Sequence, residues 1–486
     1  MKFDNSFLIL AYFLLRIISY SLLVAPAWAQ DYKGAACVIF VNDKIVLVQD
    51  SLSNRLSFPG GYINREERPE QAAQRETYEE TGLCVTVGPQ IESADQSAQF
   101  LCRSNTLIPI LSTQGFESRP IVYALPAPDF SVEIRQVYLD SPQSVKTESL
   151  RFPNQIKLLP DFNRYPKWQS STILPTKYTL PINNLYKIEL KIIAQLQNLL
   201  APQADLLFRI LNLPGENVVF FILAPIIWAY SGWQTGVRCV LLLITAAESS
   251  NILKIIFALP RPFHLMPELQ RMEAYGFGMP SGHVLVGTAF WGYCWHSFKR
   301  LLPQQKQRTG FYLLIAVLTG AALARVYWGV HFVSDVIVGA TFGLLLLNLF
   351  IRLEEKGLSH QMTSARKTPW AIGFVIIAIA AFFTPGLLSS YMGGLAMGIF
   401  LGLSIGKTQA LHEKVAINKK LKSSIAGLGI VGIMLLDSTG KLLVSQQANS
   451  IVAMLTYFAC YLLIGLWLTI GMYLLPLACN RPKPSP

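Results

Sequence analysis

The 486-residue chain is 52% hydrophobic and only 14% charged, against roughly 25% charged in an ordinary soluble domain, and its mean hydropathy is +0.38. That balance excludes a single soluble globular domain and points to several membrane spans, in a length that admits two or three domains. The net charge of +12 invites a nucleic-acid reading, which stands or falls on where the basic residues lie.

At the N-terminus, Lys2 precedes an apolar run from Phe7 to Val24 that ends at Ala27-Trp28-Ala29. A basic start, an apolar core and a small-x-small exit form an export signal. Arg16 interrupts the run, so residues 1–29 read either as a cleaved signal peptide or as a signal anchor. Both place the next segment of the chain on the far side of the membrane.

Residues 30–202 mix charge, proline and short β-branched runs. Ala36–Val41 and Lys44–Val48 are two such runs, with Asn42-Asp43 as a hairpin turn between them. A helix is expected over Ile188–Leu200, leading into the apolar part. The seven cysteines show no CxxC and no Cys/His cluster at zinc spacing. Most read as small core residues, with one disulfide, Cys84–Cys102, open if the segment is exported.

The same region carries Gly61-x5-Glu67-x7-Arg75-Glu76-Thr77-Tyr78-Glu79-Glu80-Thr81-Gly82-Leu83. Glu76, Glu79 and Glu80 stand at i, i+3 and i+4, so a helix brings three carboxylates to one face. Pro69 suits a first helical turn and Gly82 a C-terminal cap. The string resembles the Nudix box, with Thr77 where an aliphatic residue is usual. The resemblance implies an α/β sandwich in which these three glutamates hold Mg²⁺ against a diphosphate. Arg75 and Glu67 are expected to hold the loop–helix geometry. A Nudix fold kept only to bind and sense a ligand is the alternative.

From Leu206 onward the apolar runs are long enough for membrane helices, which need about 20 residues each. Nine spans are expected, near 217–233, 236–257, 282–298, 311–329, 332–353, 371–386, 387–406, 423–437 and 451–475. Pro225 and Gly386 are tolerable inside such a bundle. Basic residues gather in the loops holding Lys299 and Arg300, Arg352 and Lys356, Lys407 to Lys422, and at Arg481 and Lys483. Span parity puts all four on one face, expected to be cytoplasmic. A basic excess sorted by topology needs no nucleic acid. Residues 30–202 and the loops near 259–281 and 330 then lie on the opposite, periplasmic face of a bacterial inner membrane.

On that face stand Lys254-x6-Arg261-Pro262, Pro280-Ser281-Gly282-His283 and Ala324-Arg325-x5-His331-x3-Asp335. His331 and Asp335 share a helical face, and a carboxylate on one imidazole nitrogen frees the other for attack on phosphorus. Three fixed cations, Lys254, Arg261 and Arg325, suit phosphoryl oxygens. Ser281 and the amides of Gly282 and His283 open a helix, where an anion is favoured. These blocks resemble the PAP2 family of lipid phosphatases, with Ala324 replacing the usual serine. The resemblance implies His331 as nucleophile, Asp335 as its partner, His283 as general acid and base, and no metal.

His264 has no role in the motif, His296, His360 and His412 fall on the other face, and Glu248 and Asn251 read as bundle-facing polar residues. The expected architecture is two-domain: a soluble α/β Nudix sandwich on an all-α polytopic membrane bundle of the PAP2 type. The bundle occupies 203–353, with additional C-terminal transmembrane helices over 354–486. The expected activity is hydrolysis of a lipid phosphate or diphosphate, undecaprenyl diphosphate foremost. Sequential cleavage by both sites is the alternative. Charges gathered at one surface rather than at the midplane argue against a transporter.

Overall fold

The computed structural model describes residues 32–51, 53–94, 96–111, 119–157, 159–173, 183–357, 363, 367–383, 387–405, 411, 419–445, 447 and 450–474. The expected export signal, His360, His412 and Gly386 lie outside them.

The expected hairpin forms: β1 (Gly34–Val41) and β2 (Lys44–Asp50) pair antiparallel, Phe40 opposite Ile45. Asn42 takes φ 55° at the turn, a left-handed conformation that asparagine tolerates. Alternate β1 residues enter opposite cores. Cys37 and Ile39 join one cluster, and Val38 and Phe40 the other. A strand buried on both faces explains its unbroken apolar run.

The remaining strands are β3 (Leu56–Ser57), β4 (Gly60–Tyr62), β5 (Val85–Ala94), β6 (Ser97–Ser104), β7 (Ile108–Leu111), β8 (Ile121–Val122), β9 (Ile134–Asp140) and β10 (Thr172–Ile173). They run in the order β10-β7-β8-β9-β2-β1-β6-β5, with β3 on β2 and β4 on β1. The pairing of β1 with β6 is parallel and sets Ile39 opposite Cys102. It also corrects the expected bridge, because the disulfide joins Cys37 to Cys102, with Cα atoms 5.4 Å apart. Cys84 is exposed and free, whereas Cys239 and Cys460 are buried as expected.

Helix α1 (Pro69–Thr81) is the box helix, with proline in its first turn and Gly82 closing it at φ 72°. Ala72 and Ala73 seat it on the β1 core. Thr77 is fully buried where an aliphatic side chain is usual, and its hydroxyl donates to the Ala73 carbonyl at 2.7 Å. That bond satisfies the one polar atom the substitution introduces.

After the short α2 (Pro153–Lys157), the helical half begins with α3 (Asn184–Leu200), capped by the Asn183 side chain on the Tyr186 N–H. There follow α4 (Asp205–Asn212), α5 (Asn217–Ser231), α6 (Trp233–Phe257), α7 (Pro262–Leu265), α8 (Gly282–Phe298), α9 (Gln304–Tyr327) and α10 (Val333–Glu355). The last four are α11 (Lys367–Phe383), α12 (Leu387–Ser404), α13 (Lys419–Ser445) and α14 (Ser450–Leu466).

Each expected span falls on a helix, but the lengths differ. Among the described residues five helices are long and apolar enough to cross a membrane, or six if the pair 205–215 and 217–231, bent by 47°, is one span. A multi-pass membrane bundle results. Helices α5 and α6 serve two cores. One joins them to α8, and the other joins them to α11–α14 through Trp228, Ile244, Trp370, Ile399, Ile425 and Ile464. The C-terminal helices are thus packed onto the site-bearing helices. In α12 and α14, Gly398 and Gly465 let the backbones meet, since a Cβ on Gly465 would stand 2.6 Å from the Leu395 carbonyl oxygen.

Candidate functional site

All seven residues of the helical motif converge at one end of the bundle. Lys254 lies in the last turn of α6 and Arg261 just before α7. Ser281 opens α8, Arg325 lies in the last turn of α9, and His331 and Asp335 flank the start of α10. The His331 Nδ1 is 3.3 Å from Asp335 Oδ2, and its Nε2 is 3.3 Å from Arg261 Nη1. A guanidinium can only donate, so Nε2 accepts and the Nδ1 proton faces the carboxylate. Asp335 Oδ2 also accepts the Phe332 N–H at 2.9 Å. Burial, then the neighbouring Arg261, Lys254 and Arg325, hold the His331 ring well below the usual histidine pKa. The imidazole is neutral at pH 7, as a nucleophile requires.

Arg261 and Arg325 are buried and Lys254 is half-buried, and backbone carbonyls hold two of the three. Arg261 donates to Tyr275 O at 2.7 Å, Gly276 O at 2.9 Å and Val330 O at 2.8 Å. Lys254 Nζ donates to Phe277 O at 2.9 Å and Gly278 O at 3.2 Å. The loop 275–278 is therefore fastened over the site by the groups expected to grip phosphate. Gly278 permits this, because a Cβ there would lie 2.9 Å from Asp335 Oδ2. Of the seven motif residues, three present a buried polar atom without a partner among the described residues: Ser281 Oγ, Arg325 Nε and Asp335 Oδ1. Unpartnered groups of this kind are costly. Two of the three are donors, as an oxyanion site needs.

Some site residues have no signature in the chain. Glu216 Oε1 lies 3.3 Å from His283 Nε2, and the same oxygen accepts Asn212 Nδ2 at 2.5 Å. Asn212 Oδ1 in turn accepts Arg325 Nη1 at 3.2 Å. A chain of hydrogen bonds so links the expected acid–base histidine to a phosphate-binding arginine. Glu189 of α3 accepts Ser334 N and Oγ, at 2.7 and 3.0 Å, and braces the start of α10. His264 is a buried packing residue: its Nδ1 accepts the Arg261 N–H at 3.1 Å.

In the sheet domain, Arg75 ties the box together. It donates to both Glu67 oxygens at 2.9 Å and to Tyr62 O at 3.0 Å, the expected loop–helix brace. Its Nη1 also reaches Glu76 and Glu79, each at 2.8 Å. These two carboxylates already share one cation, which suits them to a hard metal ion. Glu76 rests against the Gly61 backbone, where a Cβ would overlap its carboxylate. Glu80 is buried and turned elsewhere, its Oε2 accepting the Gly60 N–H at 2.8 Å. Among the described residues no three His, Cys, Asp or Glu side chains are grouped to hold a metal ion. Burial raises Glu76 to about 7 despite Arg75, and raises Glu80 well above the carboxylate range. Asp129, whose N–H donates to Glu79 O at 2.8 Å, is raised by burial and by Glu133 to about 6.

The domains touch directly. Ser131 Oγ accepts the Phe277 N–H at 3.3 Å, Phe130 packs edge-on against Phe277 and His264, and the Arg135 guanidinium lies 4.3 Å from the centre of the Tyr275 ring. The segment after Asp129 thus abuts the loop that Arg261 and Lys254 fasten.

A mixed sheet with a carboxylate-bearing box helix, on a polytopic bundle with a buried His–Asp–cation cluster, defines a membrane-bound two-domain hydrolase architecture. Residues 31–129 match the NUDIX domain and residues 235–358 the PAP2 superfamily, so the chain combines a Nudix domain with a PAP2 domain.

Similar proteins include lipid phosphate phosphatase delta of Arabidopsis thaliana, 29% identical over 38% of this chain and 48% of that protein. A probable sphingosine-1-phosphate phosphatase of Dictyostelium discoideum is 29% identical over 32% of this chain and 39% of its own length. Phosphatidylglycerophosphatase B of Bacillus subtilis (strain 168) is 38% identical over 16% of this chain and 40% of its length. The chain thus spans less than half the length of these relatives. Among solved structures, a PAP2-type phosphatidylglycerolphosphate phosphatase from Bacillus subtilis aligns at TM-score 0.32 and 21% identity, over 37% of this chain and 90% of that one. A Nudix hydrolase from Nitrosomonas europaea aligns at 0.21 and 17%, over 31% and 81%.

Proposed function

We propose that the chain is a membrane phosphatase that hydrolyses a lipid phosphate or diphosphate at the PAP2 site through a phosphohistidine. The observation that carries this reading is the neutral His331 held between Asp335 and Arg261, with buried Arg325 and half-buried Lys254 beside it. In the proposed reaction Nε2 attacks phosphorus and the bond to the leaving oxygen breaks, while Asp335 stabilises the positive ring. Arg261 moves from Nε2 to a phosphoryl oxygen, joining Lys254, Arg325 and the amides that open α8. His283, whose Nε2 lies 3.3 Å from Glu216 Oε1, gives the leaving oxygen its proton. It then takes a proton from water, which attacks the phosphohistidine and releases phosphate. No step needs a metal.

Undecaprenyl diphosphate is the favoured substrate, on the site's position at a bundle end and its expected outward face. The Cys37–Cys102 disulfide supports an oxidising compartment for the Nudix domain, and so a periplasmic one. Purified protein assayed on lipid mono- and diphosphates is expected to release phosphate in EDTA. Failure on every lipid phosphate would overturn the reading.

A second reading has its own observation, the packing of Phe130, Ser131 and Arg135 against the loop over the PAP2 site. In it the Nudix domain cleaves a diphosphate and the PAP2 site removes the remaining phosphate. Glu76 and Glu79, with Glu80 behind them, would hold Mg²⁺, which when bound shields charge and activates water at a P–O–P bond. Arg75 would keep Glu67 and the Tyr62 carbonyl in register while releasing Glu76 and Glu79. Magnesium binding without any turnover would instead mark the Nudix domain as a sensor.

A further inference from the structure

Between the helices matched to PAP2 and the C-terminal helices lies an apolar chamber of about 250 Å³. Phe220 of α5, Val286 of α8, Leu395 of α12 and Ile464 of α14 line it, and the site residues Gly282 and His283 belong to the same lining. Helices α12–α14 lie beyond the PAP2 match at 235–358, yet they supply a whole wall. A dry apolar cavity of about 150 Å³ already admits a benzene-sized guest and no water. This chamber therefore suits hydrocarbon.

Leu388 and Tyr391 of α12 face a second cavity too, of about 310 Å³, which holds Lys254, Ser51, Ser131 and Arg135. One helix thus stands between an apolar space lined in part by His283 and a polar, cationic space lined in part by Lys254. The two linings come close at Gly282, where a Cβ would lie 2.9 Å from Ser250 Oγ and 4.0 Å from Lys254 Cε. A molecule with an anionic head and an apolar tail matches that division, and neither a soluble nucleotide nor free phosphate does.

We propose that α12–α14 form, with α5, α6 and α8, a binding site for one hydrocarbon chain of a phosphorylated lipid, so that the added helices select the chain. The inference rests on the PAP2 site being the lipid phosphatase proposed above. It is tested with the full chain in lipid nanodiscs, by calorimetric binding of a series of n-alkylphosphonates from methylphosphonate through hexadecylphosphonate to longer chains, none of which can be hydrolysed.

Leu395→Trp fills the chamber and is expected to lower the long-to-short affinity ratio about tenfold through lost chain contacts. Leu455→Trp, on an exposed α14 position, should leave the ratio as in wild type, because bilayer partitioning is common to all three proteins. Met392→Ala enlarges the chamber and should shift the best-bound alkylphosphonate to a longer chain, which decides the matter if Leu395→Trp does not fold. Equal ratios in wild type and Leu395→Trp, or no shift with Met392→Ala, would overturn the chamber. Chain-dependent binding without hydrolysis of any lipid phosphate would sink the phosphatase reading and leave the chamber standing.

Discussion

The two candidate sites are built on opposite electrostatic plans. At the bundle end, buried Arg261 and Arg325 and half-buried Lys254 are gathered around His331, so positive charge is in place before any substrate arrives. In the box, Glu67, Glu76 and Glu79 surround one arginine, Arg75. That site can approach a phosphate only after a further cation is added. The difference teaches that phosphate chemistry can be supported by fixed side-chain charge or by imported charge, and that the choice is visible in the sign of the cluster. It also predicts that the sites fail independently.

The largest separation should come from His331→Ala. Removing the nucleophile is expected to cost about 10⁴-fold or more in EDTA-resistant phosphate release. Magnesium-dependent diphosphate cleavage, assayed on the same preparation, should persist. Retention of the EDTA-resistant activity would show that His331 does not attack phosphorus.

The converse change, Glu79→Gln, should lower magnesium-dependent diphosphate cleavage by about 10² to 10³-fold and spare monoester hydrolysis. Glu79 shares Arg75 Nη1 with Glu76, so the amide keeps its size and loses its charge. If both activities survive, the box is not catalytic on those substrates.

A smaller effect comes from Glu76, whose carboxyl is raised by burial to about 7. Between the unfolded value of about 4.3 and 7 the folded state holds the extra proton. Stability from this group is therefore full at low pH and is lost as pH rises through 7. Magnesium binds the ionised form and should reverse that loss. Thermal unfolding of the sheet domain should shift upward with Mg²⁺ at pH 8 and hardly at pH 5.5. A shift independent of pH would remove Glu76 from the metal site.

Much of this contrast is legible in the chain because both clusters are local. His331 and Asp335 are four residues apart, but His331 stands before the first residue of α10. It meets Asp335 across the helix start rather than on one helical face. Glu76 and Glu79 meet on Arg75 through one turn of the box helix. The hairpin at Asn42-Asp43 is equally local. What stayed hidden depends on packing between distant segments. Glu216 is one charged residue before an apolar span, and only the bend between α4 and α5 sets it on His283. The disulfide partner of Cys102 is chosen by the parallel register of β1 on β6, which no spacing encodes. Glu80 has the spacing of a metal ligand, but the close approach of Gly60 takes its Oε2.

The smallest expected effect concerns Ala324, which stands where the resembled PAP2 motif has serine. Ala324 is fully buried and packs in a cluster with Phe208, Phe263, Tyr327 and Val330. A hydroxyl added there meets apolar neighbours, and in a helix it can turn back to the carbonyl four residues earlier. Ala324→Ser should therefore change kcat/KM by less than about threefold, with a stability change of about 1 kcal/mol or less set by that back-bond. The neighbouring Arg325 already donates to Asn212 and leaves its Nε unpartnered, so phosphate has a donor at this corner without the serine. A tenfold rise in kcat/KM with Ala324→Ser would show the reverse: that the buried arginine alone does not complete the site, and that its preformed charge is one hydrogen bond short.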